Sequence, residues 1–310
     1  MTEYSSCIDI MSIVSLPAAV PLFFLSVSAA LAADSPPARM PSRVAEAAEV
    51  LQQNARRILS RETLVQRSLL PPSRFQPRAG SAAERATGPR LRVRDVVSEF
   101  SFGALRGSHD LMEFRQVLSV DGAPVQSADH ALRALSEGIQ KGDDRARKRM
   151  LEQFAANGLV DIATDYSLIL LLFTTRGQRQ IEFSPSSRCY IGADPAIAFL
   201  WKQKSAQGGL TEFHGRESVH LPLQGTLWVR ASDGLPLRVN AWMEYVDQND
   251  NRIREDAAVD YAMSQHGFLT PASVLHRHLV NGAVVTENLY RYEPFQFFSA
   301  SSTITFGSPK

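Results

Sequence analysis

Two histidines in "SVLHRHLV", His276 and His278, come nearest in this sequence to the residue types and spacing of a metal site. On an extended strand, side chains two apart leave from the same face. Two imidazoles so placed can begin a zinc site, which needs three or four ligands at about 2 Å. A third ligand would have to come from across a sheet, with His266 and Glu287 as the available donors. The competing expectation is a pair of hydrogen-bonded histidines on a solvated strand. A second group, Glu212, His214, Glu217 and His220 in "EFHGRESVHL", has neither the metalloprotease spacing nor a helical one, and Gly215 marks it as a loop. Asp256 and Asp260 share a strand face, as solvated charges do. No G-x-S-x-G elbow, P-loop or G-x-G-x-x-G is present, so hydrolase, NTPase and dinucleotide chemistry lack a motif. The expectation is a chain without catalysis and without a cofactor.

Charge and leader narrow the function class. The formal net charge of +1 over 310 residues does not describe a nucleic-acid binder, which concentrates basic residues. The four arginines of "RATGPRLRVR" (85–94) read as the end of a solvated linker. Residues 13–32, "IVSLPAAVPLFFLSVSAALA", carry no charge and end in Ala30-Leu31-Ala32. This is the pattern of a secretory signal cut after Ala32, leading to the periplasm or outside the cell. No basic residue precedes it, and Glu3 and Asp9 do, so an uncleaved inner-membrane anchor is the alternative. Cleavage leaves no transmembrane span and removes Cys7. Cys189 would then stand alone as a buried or inert thiol.

The elements that must position any site follow from periodicity. After a polar lead-in, Val44, Ala47, Leu51, Ala55, Ile58, Val65 and Leu69 recur at helical steps. They predict an amphipathic helix over 43–69, capped by Ser42 and ended by Pro71-Pro72. The expected division is a signal over 1–32, lead-in and helix over 33–70, a flexible linker over 71–90 and a folded domain over 91–310. Within that domain the period is two at 91–102 and 111–120, the second placing Met112, Phe114, Leu118 and Val120 on one face. Helices are predicted over 127–140 and 143–157, and "SLILLLF" (167–173) is a buried turn of helix or a core strand. The remainder reads as strands.

The clearest of these is "GTLWVRASDGLPLRVNAWMEY" (225–245), two alternating runs about an Asp233-Gly234 turn. Leu227, Val229, Val239, Met243 and Tyr245 fall on one face, as do Val259, Tyr261 and Met263 of the next strand. Trp228 and Trp242 fall on the other. A curved sheet must cover such an apolar face. The chain's own helices can do so, and so can an apolar ligand, each contact being worth about 25 cal/mol per Å² buried.

The hairpin "GTLWVRASDGLPLRV" resembles the "G-x-hydrophobic-W/Y-V … G-x-P-L-R" hairpin of outer-membrane lipoprotein-sorting proteins. Residues 43–306 look closer still to uncharacterised exported bacterial proteins of that build, with "FRQVLSVDGAPV" (114–125) early and "ENLYRYEPFQFF" (287–298) late. The resemblance implies an open β-barrel around helices and a hydrophobic cavity. It implies non-catalytic binding of a lipid, an acyl chain or a lipidated partner. A separate segment, "VLSVDGAPVQSADHALRALSEG" (117–138), looks like the strand–turn–helix of a PDZ domain, without that domain's carboxylate-binding loop upstream.

The reading is an α+β protein whose strongly curved antiparallel sheet of roughly ten strands forms an open or half barrel around a few helices, preceded by an N-terminal amphipathic helix. Leu227, Val229, Val239, Met243, Tyr245, Val259, Tyr261 and Met263 are its expected ligand face. The alternative is a cell-envelope interaction module with a filled core and Trp228 and Trp242 on its partner face. A metal-dependent enzyme at His276 and His278 is third.

Overall fold

The computed structural model describes residues 5–6, 36–70, 90–104, 110–142, 144–162, 165–205, 210–214 and 217–298. The expected signal over 13–32 and nearly all of the expected linker lie outside them. Helix α1 (Pro36–Asn54) turns Met40, Val44, Ala48 and Leu51 into the core. The helix is shorter than its apolar spacing predicts. Ala55–Arg57 is a single 3-10 turn, and the chain then becomes a strand.

The strands in chain order are β1 (Ser5–Ser6), β2 (Ile58–Leu69), β3 (Leu91–Ala104), β4 (Leu111–Val120), β5 (Ala123–Pro124), β6 (Ile181–Ile191), β7 (Asp194–Gln203), β8 (Leu210–His214), β9 (Glu217–Leu221), β10 (Gln224–Arg230), β11 (Pro236–Val246), β12 (Arg252–Met263), β13 (Leu269–Val280), β14 (Ala283–Tyr292) and β15 (Gln296–Phe297). Thirteen of them form one sheet ordered β1-β6-β7-β10-β11-β12-β13-β14-β2-β3-β4-β5, with β15 on the start of β2. Pairing is antiparallel except between β1 and β6. The ends of the order do not pair with each other, so the curled sheet is open. The hairpin β8–β9 stands apart and replaces the loop expected at "EFHGRESVHL".

Strand β2 explains why the helical reading overran. Ile58, Ser60, Glu62, Leu64, Gln66 and Ser68 are all buried, and the residues between them are not. Val65 and Leu69, expected on the same stripe as Ile58, therefore point to the opposite face. Its position between β14 and β3 supplies partners for the inward polar residues, which a local period cannot foresee. The 33–70 segment thus enters the same sheet as the rest of the chain.

Helix α2 (Ala128–Lys141) starts at Ser127, whose hydroxyl accepts from the His130 N–H, and ends at Gly142 with φ +53°. Leu135 and Ile139 pack on Met112 and Phe114 of β4, the face opposite Glu113 and Arg115. Val117 shares the main-core face of Glu113 and Arg115, and Val120 joins it because an irregularity in the β3–β4 pairing beside Leu118 shifts the phase of β4. Segment 117–138 therefore builds one end of the common sheet. The main core is covered by α1, by Met150 and Phe154 of α3 (Asp144–Ala156), and by a 3-10 helix (Tyr166–Phe173) made from "SLILLLF".

The glycine that opens the legible hairpin has a physical cause. A Cβ at Gly225 would lie 2.1 Å from the Asn240 carbonyl oxygen and 2.8 Å from its carbon. That carbonyl also accepts from Trp201 Nε1 at 3.2 Å, and Asn240 Oδ1 accepts from the Thr226 N–H at 2.6 Å. Gly225→Ala forces the β10–β11 backbones apart and is expected to cost about 1–3 kcal/mol, read from urea unfolding followed by circular dichroism.

Candidate functional site

Strand register lays the concave face out in rows. One row runs Val239, Val259, Val274, Tyr290, Leu64, Val96 from β11 to β3. The next is Ala241, Ala257, His276, Asn288, Gln66, and the one beyond is Met243, Glu255, His278, Thr286, Ser68. The face is thus apolar on β10, β11 and the second half of β12, and turns polar from Glu255 across β13, β14 and β2. Each half is closed by a different means.

The apolar half is packed by the chain itself. Leu227, Val229, Val239, Met243, Val259 and Tyr261 are buried in one core with α1 and the 3-10 helix. The Tyr261 hydroxyl donates to the Ser167 carbonyl at 3.2 Å and accepts from the Leu170 N–H at 3.1 Å, so it pegs the 3-10 helix to the sheet. Burial pushes its phenol well above the usual range. Tyr245 is half-buried near the strand end. Met263 does not join this face. It is 52% exposed at the last position of β12, past the end of the packed core. Between the start of α1 and the sheet lies a crevice lined by Met40, Val44, Phe199, Leu227, Val229 and their neighbours, with room for about one water molecule.

The polar half is stitched together. His276 Nε2 lies 2.8 Å from Glu255 Oε2, and His278 Nδ1 contacts the other oxygen of the same carboxylate. Burial opposes the charge on Glu255, but hydrogen bonds from His276 and His278 hold its carboxyl below the usual range. On its other side His276 Nδ1 faces Asn288 Nδ2 at 3.4 Å, and the Tyr166 ring lies 5.1 Å away. Asn288 Nδ2 also donates to the Asp161 carbonyl at 2.6 Å. The Gln66 amide donates to Asn288 Oδ1 and to the Val160 carbonyl, both at 2.7 Å, and accepts from the Val160 N–H at 3.1 Å. Thr286 Oγ1 donates to Asp161 Oδ2 at 2.7 Å. These side chains bind Leu159–Ile162, the connector leaving α3, across the sheet.

The two histidines therefore meet on a carboxylate. Among the described residues no three of His, Cys, Asp and Glu are placed to hold a metal ion. His266 lies elsewhere, with Nε2 3.1 Å from the Phe295 carbonyl, and Glu287 pairs with Arg67 and Arg277. Glu255 escapes a reading by residue type, yet it sits in phase with Ile253 and Ala257. A charged residue at an inward position is the signal that could have found it.

Glu62, which falls between Ile58 and Val65 at a helical step of the predicted stripe, carries the same signal. Arg115 Nε lies 2.7 and 2.9 Å from the Glu62 oxygens, and Arg115 Nη1 lies 2.6 Å from Glu113 Oε2. All three are buried, with the guanidinium 5.0 Å from the Phe100 ring centre and 5.1 Å from that of Tyr290. Burial raises the Glu62 carboxyl against the pull of Arg115. Burial disfavours the arginine's charge too, but Glu113 and Glu62 hold it well above the usual value. Glu113 also accepts from the Ser167 N–H at 2.8 Å. The cluster fastens β2, β4 and the 3-10 helix, and its acids are fully engaged.

The expected partner face is also rearranged. Trp228 is only 9% exposed and packs with Cys189, Ala196, Ala198 and Leu237 in a second small core. Trp242 is half-buried, with the Arg254 guanidinium 4.4 Å from its ring centre. Cys189 is buried and, in the full-length chain, disulfide-bonded. Ser5 and Ser6 pair beside it on β6.

No family model matches the chain, and no curated protein is found similar to it. A solved structure of a LolA superfamily protein from Nitrosomonas europaea aligns over 84% of this chain and 94% of its own, at 8% identity and a TM-score of 0.28. A score that low bears on neither the fold nor the ligand of this chain.

Removing the arginine strands two acids in the core. Arg115→Met is expected to destabilise the protein by about 3–5 kcal/mol, as for other broken buried ion pairs, measured by urea denaturation at neutral pH.

Proposed function

We propose that this chain is an exported, non-catalytic binding protein in which a lipid, an acyl chain or a lipidated partner takes the place of α1 against the apolar half of the concave face. The observation that carries the reading is the crevice between α1 and the sheet. Its lining is apolar apart from Gln178, whose amide holds the Pro41 carbonyl at 2.6 Å. Apolar contact is non-directional, so an aliphatic chain entering at Met40 and Val44 can exchange for the helix without leaving polar groups stranded on Leu227, Val229 and Val239. The polar half offers no such exchange.

A second reading, a filled core serving an envelope interaction, is favoured by the burial of Leu227, Val229, Val239, Met243, Val259 and Tyr261 under the chain's own segments. Among the described residues no helix is long and apolar enough to cross a membrane. Export rests on residues 13–32. The alternative to cleavage is retention of residues 13–32 as an anchor. The intact mass of the exported chain decides between them. A chain beginning at Ala33 with a free Cys189 thiol is the outcome for cleavage.

The carrier reading is tested by locking α1. A Cβ at Gly234 would lie 3.4 Å from that of Arg43, close to disulfide geometry, although the positive φ of Gly234 adds a strain of about 1–2 kcal/mol. Native mass spectrometry of the full chain with added fatty acid or phospholipid is expected to show uptake by the wild type in oxidant and in reductant. The Arg43→Cys/Gly234→Cys protein is expected to take up lipid only when reduced. No uptake by the wild type, or equal uptake by the oxidised variant, supports the filled core.

A further inference from the structure

We propose that His276 is a proton-operated latch, releasing the connector Leu159–Ile162 from the concave face when its ring takes up a second proton. The inference is independent of whether the apolar half accepts a ligand. One chain of hydrogen bonds, from Val160 through Gln66 and Asn288 to His276 and Glu255, leaves a single arrangement of donors and acceptors.

Gln66 commits both amide hydrogens, to the Val160 carbonyl and to Asn288 Oδ1, while its own oxygen receives the Val160 N–H. That orientation fixes Asn288, whose oxygen faces Gln66 and whose NH₂ faces the Asp161 carbonyl and His276 Nδ1. A primary amide has two hydrogens to give. His276 must therefore present a lone pair at Nδ1 and carry its proton on Nε2, directed at Glu255 Oε2. The tautomer is set by the network around the ring.

A second proton can enter only at Nδ1, where it meets the Asn288 N–H. Turning Asn288 over offers Oδ1 to the new donor, but it sets NH₂ against Gln66 Nε2 and withdraws the donor from Asp161. Turning Gln66 over in response breaks both of its bonds to Val160. Each relief therefore detaches the connector, leaving Thr286 on Asp161 as its remaining side-chain tie in this network.

The titratable and charged groups facing the ring are Glu255 from β12, His278 from its own strand, Asp161 from the connector and the Tyr166 phenol from the 3-10 helix. From β14 it meets the neutral Asn288, which is backed by Gln66 of β2. Arg277 and Glu287 lie on the other face of the same strands, as does Asp256, which is still close enough to interact with a charge on His276. Glu255, held below the usual carboxylate range, remains an acceptor across the window in which imidazoles titrate.

The test is amide exchange of the full-length protein, comparing the Val160 amide with that of Val239 at about pH 7.5 and 5.5, each corrected for intrinsic exchange. Protection at Val160 is expected to fall about tenfold or more relative to Val239 at the lower pH, the effect of losing a hydrogen bond locally. His276→Gln supplies one acceptor and one donor without titrating, and is expected to stay protected at both values. His278→Gln is expected to keep the wild-type drop. An unchanged wild-type ratio, a drop that persists in His276→Gln, or one abolished in His278→Gln overturns the assignment. Should His276→Gln not fold, nitrogen NMR of the wild-type ring decides, because a proton on Nδ1 at the upper pH contradicts the latch.

Discussion

A curled sheet shuts every second side chain of its central strands away from water, and each inward residue must then be apolar or partnered. Most of this molecule is an answer to that demand. On β10, β11 and the second half of β12 the inward residues are apolar, and α1 and the 3-10 helix cover them by contact, with the Tyr261 hydroxyl pegging the 3-10 helix. On β13, β14, β2 and β4 the inward residues include histidines, amides, glutamates and an arginine, each provided with a partner. Because the strands are in register, the two kinds of surface meet along continuous rows.

The two halves differ in what they tolerate. Apolar cover is graded, since a shifted helix loses stabilisation in proportion to the area exposed. Hydrogen-bonded cover is closer to all-or-none, because one displaced amide strands its neighbours. Arg115 shows the second kind at its most demanding, held between two acids and two aromatic rings in the core. The Val160–Gln66–Asn288–His276–Glu255 chain shows the same logic without an obligatory charge at every link. A fold that combines them has one half covered by graded apolar contact and one half covered through a hydrogen-bonded network.

The convex face follows simpler rules. Charges alternate across strands in pairs such as Arg238–Asp260 and Arg277–Glu287, and Trp242 is capped by Arg254. At one end α2 covers Met112 and Phe114. Toward the other, the small core around Trp228 and Cys189 removes the tryptophan expected to meet a partner. The aromatic-and-arginine surface that suggests a docking site in one dimension is largely satisfied within the chain.

The sequence by itself determined the elements whose periods are locally uniform: the α+β class, the hairpin about Asp233-Gly234, α2 with its Ser127 cap, and the aliphatic phase of β11 and β12. Even the buried state of "SLILLLF" was legible, since a run so apolar has nowhere else to go. Only the tertiary structure decided that 58–69 is a strand, because its inward residues, Ser60, Glu62, Gln66 and Ser68, are polar and make sense only beside β14, β3 and the connector. It likewise decided that His276 and His278 serve Glu255, that Met263 lies exposed at the end of β12, and that the expected ligand face is covered. Local pattern records which side chains avoid water. Which polar groups can share a water-free interior depends on partners far away in the chain, as Gln66 and Asn288 are, and that pairing exists only once the sheet has curled.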